Sequence, residues 1–191
     1  AATRTRILAS SRSLFAAQGY AAASAREIAA AAGVTVGALF HHFGSKAGLF
    51  RAVFEILVDE LNRAAMAAFR AMPEADPLDA IVASLHVALS FAEKADFHQI
   101  VTVDGPVVLG ADEWRKIDSR MGLTTVAGGV EMLKAKGRIA DLPTMPLAVL
   151  IMGAMNNAGF ALARREPGID ADALLAAFRR LLEGLAPATR S

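Results

Sequence analysis

The side chains able to do chemistry are few and their spacing is unhelpful for catalysis. His41 and His42 are adjacent. Neighbours on a helix project about 100° apart, whereas ligands converging on a metal need a spacing of three or four residues. The pair therefore reads as surface histidine, not as a metal site. His86 and His98 stand singly in apolar stretches, where a hydrogen-bonded core or pocket histidine is the expectation. The 191 residues contain no cysteine, which removes disulfides and thiolate metal sites. No nucleophile paired with a base, no carboxylate pair and no phosphate loop carries a recognisable signature. The expectation is a protein that is not an enzyme, with no catalytic residue, no metal and no cofactor.

What remains is the chemistry of charge. Residues 1–52 hold Arg4, Arg6, Arg12, Arg26, Lys46 and Arg51 against the single acid Glu27, a net of +5, and the rest of the chain carries −4. A segment so biased favours a polyanion. Inside it runs SAREIAAAAGVTVGALFHHF, residues 24–43. Ser24 and Glu27 have the spacing of a capping box, so a helix starts at Ser24. Gly33 reverses the chain and Thr35 caps the next helix. Ile28, Val34 and Leu39 are spaced to lock the two helices together, which is the geometry that projects a second helix into a DNA major groove. The outer face of that helix offers Thr35, Val36, Gly37 and Ala38, small enough to bring backbone near base edges and to touch a thymine methyl. An ordinary helical hairpin, its glycine and alanine merely compositional, fits the same pattern.

These residues need a scaffold, and the sequence writes it entirely in helices. Strand patterns are nearly absent, while apolar residues recur at helical spacing between caps. About nine helices are expected. Ile7, Leu8, Leu14 and Phe15 mark the first, which Gly19 closes. The fourth begins at Ser45 and carries Leu49, Phe50, Val53, Phe54, Leu57, Val58 and Leu61 in one stripe that demands burial. Asp76-Pro77 opens a fifth, with Leu78, Ile81, Val82, Leu85 and Leu89 inward. Gly105-Pro106 interrupts a short sixth, and three longer helices follow over about 112–136, 145–165 and 170–185. The run 142–164, uncharged until Arg164, is long enough to span a bilayer. Pro143 and Pro146 shorten it and Asn156 and Asn157 interrupt it, so burial in protein is the simpler expectation, with Gly153, Ala154 and Gly159 permitting close approach. At 54% hydrophobic the chain has ample core material. No basic stretch followed by an apolar one opens the sequence, and a cytoplasmic protein is the default.

The phrases F15-AAQ-G19, S24-AREIAAAAGV-T35-V-G37-ALFHHF and G-S45-K46-AG-L49 stand in an order and spacing that closely resemble the TetR family across residues 5–55. DGPVVLG, residues 104–110, is similar to a phrase in members of that family. The resemblance implies a helix-turn-helix DNA-binding domain over 1–50, with the motif at 24–43. It implies a helical ligand-binding and dimerisation domain over 51–191, and a homodimer built mainly by the last two long helices. Carried over by position, Ser24, Lys46 and the amide at the start of helix four hold phosphates, His42 lies on the backbone, and Thr35, Val36, Gly37, Ala38 and His41 face the groove. Phe40 stands where the family usually has tyrosine, so one phosphate-contacting hydroxyl is missing. Binding then leans on His41, His42 and bases such as Arg4, Arg6 and Arg26. The expected partners are a palindromic duplex, a small-molecule effector and a second copy of the chain, with no membrane. The usual mode of the family is repression.

An apolar or amphipathic effector would suit Met66, Phe69, Phe91, Phe97, Trp114, Met121 and Met152, with Met132 and Met155, since thioethers and rings line adaptable pockets. His98, Asp104, Asn156 and Asn157 are the polar anchors expected there. A helical carrier that binds an apolar molecule without touching DNA is the alternative. It would need neither the charge reversal near residue 52 nor the small-residue face of the third helix.

Overall fold

A computed structural model of the chain describes residues 2–187, except the side chains of Ser119 and Met121. The nominated pocket side chain of Met121 therefore lies outside the described residues, as do the outermost ends of the two expected domains. Among the described residues every regular element is helical. In order they are α1 Ala2–Ala22, α2 Ala25–Ala31, α3 Val36–Phe43, α4 Lys46–Arg70, α5 Pro77–Ala92, α6 Ala95–Phe97, a π-helical stretch His98–Asp104, α7 Gly105–Leu109, α8 Ala111–Ala135, α9 Thr144–Ala163 and α10 Ala171–Glu183.

The all-helical class is as expected, but one local expectation needs correction. Gly19 (φ 75°, ψ 166°) closes the first run of helix as expected, and a further turn after the kink completes α1 to Ala22. The single short helix expected to be interrupted at Gly105-Pro106 is instead α6, the π stretch and α7. Proline explains the register. In a π-helix the amide of residue 106 would bond the carbonyl of residue 101, and Pro106 has no N–H to give. That orphaned Val101 carbonyl accepts from the Trp114 indole N–H at 3.3 Å, so the backbone group is satisfied from another helix.

The chain divides into two compact units, and neither is a continuous segment. The first is the chain up to Glu60 together with Lys94–Ile117; the second is Leu61–Glu93 together with the chain from Asp118 onward. A cut at residue 50 does not coincide with this division, because α6 and the π stretch pack on α1, and α7 packs on the π stretch. In the first unit Ile7, Phe15, Ile28, Leu39, Leu49, Phe50 and Phe54 are fully buried. Phe15 and Phe50 meet edge-on with centroids 5.4 Å apart. Arg12 binds both Glu60, at 2.8 Å, and Asp96, at 2.6 Å, tying α1 to α4 and α6.

The second unit centres on Leu78, Leu85, Leu89, Val130, Leu133, Ile139, Ala148, Leu162, Phe178 and Leu182. Asp76 caps α5 through the amide of Leu78 and holds Arg138 at 3.0 Å. Burial of α9 within the chain, expected from its composition, is not what folds. Only Ala148, Ala161 and Leu162 of that helix are buried. Met145, Pro146, Val149, Leu150, Gly153, Ala154 and Asn157 follow one another at helical spacing as an exposed stripe, because α5 covers only the opposite side. By length and composition α9 is also apolar enough to cross a membrane. His86, expected in a core or pocket, is exposed.

Candidate nucleic-acid interface

The helix-turn-helix is built by short-range bonds whose donors and acceptors are all nearby in sequence. The Ser24 hydroxyl accepts from the amide of Glu27 at 3.1 Å, and the Glu27 carboxylate accepts from the Ser24 amide at 2.9 Å and its hydroxyl at 2.7 Å. Those hydrogen bonds from Ser24 hold the Glu27 carboxyl below its ordinary value against desolvation, with a smaller contribution from the Lys46 charge. Gly33 takes a φ of 63° at the turn, and the amide of Val34 bonds back to Ala29 at 2.9 Å. Thr35 accepts from the amide of Ala38 at 3.1 Å and so caps α3. Ile28 and Leu39 are buried and Val34 half-buried between α2 and α3.

The joint after α3 depends on Gly48, which stands in the phrase G-S45-K46-AG-L49 without a role assigned from sequence. A Cβ on Gly48 would lie 2.2 Å from the carbonyl oxygen of Phe43, closer than any real contact, so only glycine lets the first turn of α4 close on the end of α3. Ser45 caps that turn, accepting from the Gly48 amide at 3.0 Å.

The nominated contact residues fall into two groups. Thr35, Gly37, Phe40, His41 and His42 are exposed on α3 or at its cap, and Val36 and Ala38 are half-buried. Phe40 leaves 38% of its surface open, an uncommon position for a large ring. The His41 and His42 rings stand 5.7 Å apart. Ser24 and Arg26 are exposed at the start of α2. Lys46 is placed from below: its ammonium sits 4.4 Å from the centroid of the Tyr20 ring and donates to the Ala21 carbonyl at 3.3 Å. Tyr20 carries no signal of its own in sequence, apart from following Gly19. Arg4 stacks over Phe43 at 5.3 Å, which brings the amino-terminal bases beside the end of α3.

The nominated pocket residues do not gather in one unit. Phe97, His98, Asp104 and Trp114 belong to the first, whereas Met66, Phe69, Phe91, Met152 and Asn156 belong to the second. Nδ1 of His98 is buried without a hydrogen-bond partner. Asp104 is engaged, accepting from the Tyr20 amide and the Gln99 side chain. Asn156 donates to Asp118 at 2.7 Å. Burial raises the Asp118 carboxyl above its ordinary value, and the Asn156 bond opposes that rise. Met152 lies over Gly122, with the Asn62 side chain close by. Asn157 is exposed. A cavity of about 270 Å³ in the second unit lies between Leu78, Leu133, Arg138, Ile139, Leu182 and Glu183, and none of the nominated residues lines it.

Comparison with known proteins adds an independent line. Residues 7–53 match a family described as bacterial regulatory proteins, tetR family, and residues 78–185 match the tetracyclin repressor-like C-terminal domain. A TetR-family transcriptional regulator from Pectobacterium atrosepticum is 31% identical over 98% of this chain and 96% of its own, with a TM-score of 0.77. The fatty acid degradation regulator FadR from Bacillus halodurans shares the fold at 18% identity over 94% and 97% of the two chains, TM-score 0.74. FadR from Bacillus subtilis, solved in complex with stearoyl-CoA, does so at 16% identity over 96% and 99%, TM-score 0.74. The curated proteins provide no match.

Proposed function

Because the chain belongs to the TetR family of DNA-binding transcriptional regulators, we propose that residues 1–50 read a palindromic operator and residues 51–191 dimerise and bind an effector that releases the DNA. The observation that carries this reading is the exposed face of α3, small at Thr35 and Gly37 with Ala38 half-buried beside them, and flanked by cations. Thr35, Val36, Gly37, Ala38 and His41 lie in the major groove. Ser24, Arg26, His42 and Lys46 take phosphates, Phe40 sits at the groove edge, and repression is the mode. Phosphate contacts fix register while the α3 face selects bases.

The exposed stripe of α9 supports a homodimer. Leu150 is 71% exposed there, and Leu181 of α10 is 67% exposed. Such surface is costly to leave in water and fits a second copy of itself across a two-fold axis. Ala148 and Leu162 pack into the helical core and Asn156 is bonded to Asp118, which favours protein over lipid as the cover and a cytoplasmic location. Two subunits then present α3 to half-sites about 34–36 Å apart or somewhat more.

The effector is apolar or amphipathic. A protein of this fold was solved with stearoyl-CoA, an amphipathic molecule, and the methionines and rings of the second unit suit that physical class. Selection of bound duplexes from a random pool tests the central claim. A palindromic consensus is the result expected. A protein that retains no duplex at low salt is instead the helical carrier, and titration with apolar ligands would then reveal its activity.

A further inference from the structure

Two phrases far apart in the sequence meet at one carboxylate. Gly19 breaks α1, so the amide of Tyr20 begins a fresh turn and has no helical acceptor behind it. The carbonyl of Gly19 accepts from the amide of Ala23 at 3.2 Å, which makes Gly19 the cap of that turn, yet glycine has no side chain to accept from the free amide. Asp104, 84 positions on, supplies it: Oδ2 accepts from the Tyr20 amide at 2.7 Å and from the Gln99 side chain at 3.1 Å. A Cβ at Gly19 would stand 3.2 Å from the Gln99 nitrogen and 3.6 Å from that oxygen, so the approach is tight and the backbone there is of the sort glycine adopts.

The turn so held carries both supports of Lys46. The Tyr20 ring, edge-on to Phe50 at 5.1 Å, lies under the ammonium, and the Ala21 carbonyl accepts from it. We propose that Asp104 is a positioning residue for DNA binding, capping the Gly19–Tyr20 break and thereby placing the Lys46 ammonium for its phosphate. The segment His98–Leu109 is thus wired to a phosphate contact by one carboxylate, and any rearrangement of that π-helical stretch reaches the DNA face without passing along α4. The charge matters, since an ionised acceptor bonds an orphan amide more strongly than a neutral one. The proposal rests on the DNA-binding reading of Lys46.

The test is a double-mutant cycle read by fluorescence anisotropy, on the duplex that the wild-type full chain selects from a random pool. Asp104→Ala should weaken binding about tenfold, within the range of site-to-site couplings, and Asp104→Asn, which keeps the shape and one acceptor, about threefold. In a Lys46→Ala background both losses should vanish, because contacts acting through one another are not additive. Should Asp104→Ala fail to fold, Asp104→Asn carries the same cycle. A folded Asp104 variant that binds like the wild type overturns the proposal. So does a loss of the same factor in the Lys46→Ala background, since that marks general destabilisation. A wild type that binds while Lys46→Ala is silent removes the reading of Lys46 and the latch with it.

Discussion

Two faces of the molecule are left uncovered by its own chain, and their chemistry is opposite. The α3 face offers Thr35, Gly37, His41 and His42 with the Phe40 ring beside them, and is edged by Lys46 and Arg26; the α9 stripe is apolar, with Met145, Val149 and Leu150 in the open. A helix apolar nearly all round and a short helix reading VGALFHHF would both pass for core on their apolar content alone. Exposure separates them from core, and charge at the margin separates them from each other. Water tolerates the first face until a polyanion replaces it, whereas the second loses solvent-exposed apolar area by pairing.

The sharpest way to break that contrast is to put a charge on the apolar stripe. Leu150→Lys should leave a folded monomer by sedimentation and weaken operator binding on the order of 10²–10⁴-fold, as the second half-site contact ceases to be intramolecular. A variant that stays dimeric would place the interface elsewhere. On the polar face, Lys46→Ala should weaken every duplex alike and reduce the log-log salt slope by about 0.9 per subunit. A change in base preference at unchanged slope would reassign it from phosphate to base.

Phe40→Tyr should add one phosphate bond per subunit, about 0.5–1.5 kcal/mol each, measured as tighter operator binding at fixed salt. Its exposed ring predicts that thermal stability stays put. A lowered midpoint with unchanged affinity would make Phe40 a packing residue.

The smallest effects concern pH, where the two units differ in sign. Glu27 loses its proton more readily in the folded chain, so its capping box adds stability above the ordinary carboxylate range and that share is lost as pH falls through its depressed value. Asp118 keeps its proton to higher pH when folded, so its share is complete at low pH and is lost as pH rises through its raised value. At neutral pH Asp118→Asn should therefore raise the melting midpoint by about 2–4 °C, while Glu27→Gln lowers it slightly. Melting curves from pH 3 to 8 check both, and equal slopes for wild type and Asp118→Asn would remove the buried-charge account.

Legibility followed the distance between the partners that define each feature. The capping box of Ser24 and Glu27, the cap of Thr35 on α3, the turn at Gly33 and the buried stripe of α4 are each set within three or four residues, so local spacing was enough to place them. The family, the helix-turn-helix and most of its outward residues came with them. Only the packing shows that Trp114 satisfies the carbonyl Pro106 leaves free, that Gly48 must meet the Phe43 carbonyl, that Asp104 accepts from the Tyr20 amide, and that one side of α9 stays open. Periodicity reports which face of a helix avoids water but not what covers it, and a donor freed by a break in one helix can be met by any acceptor the packing brings near.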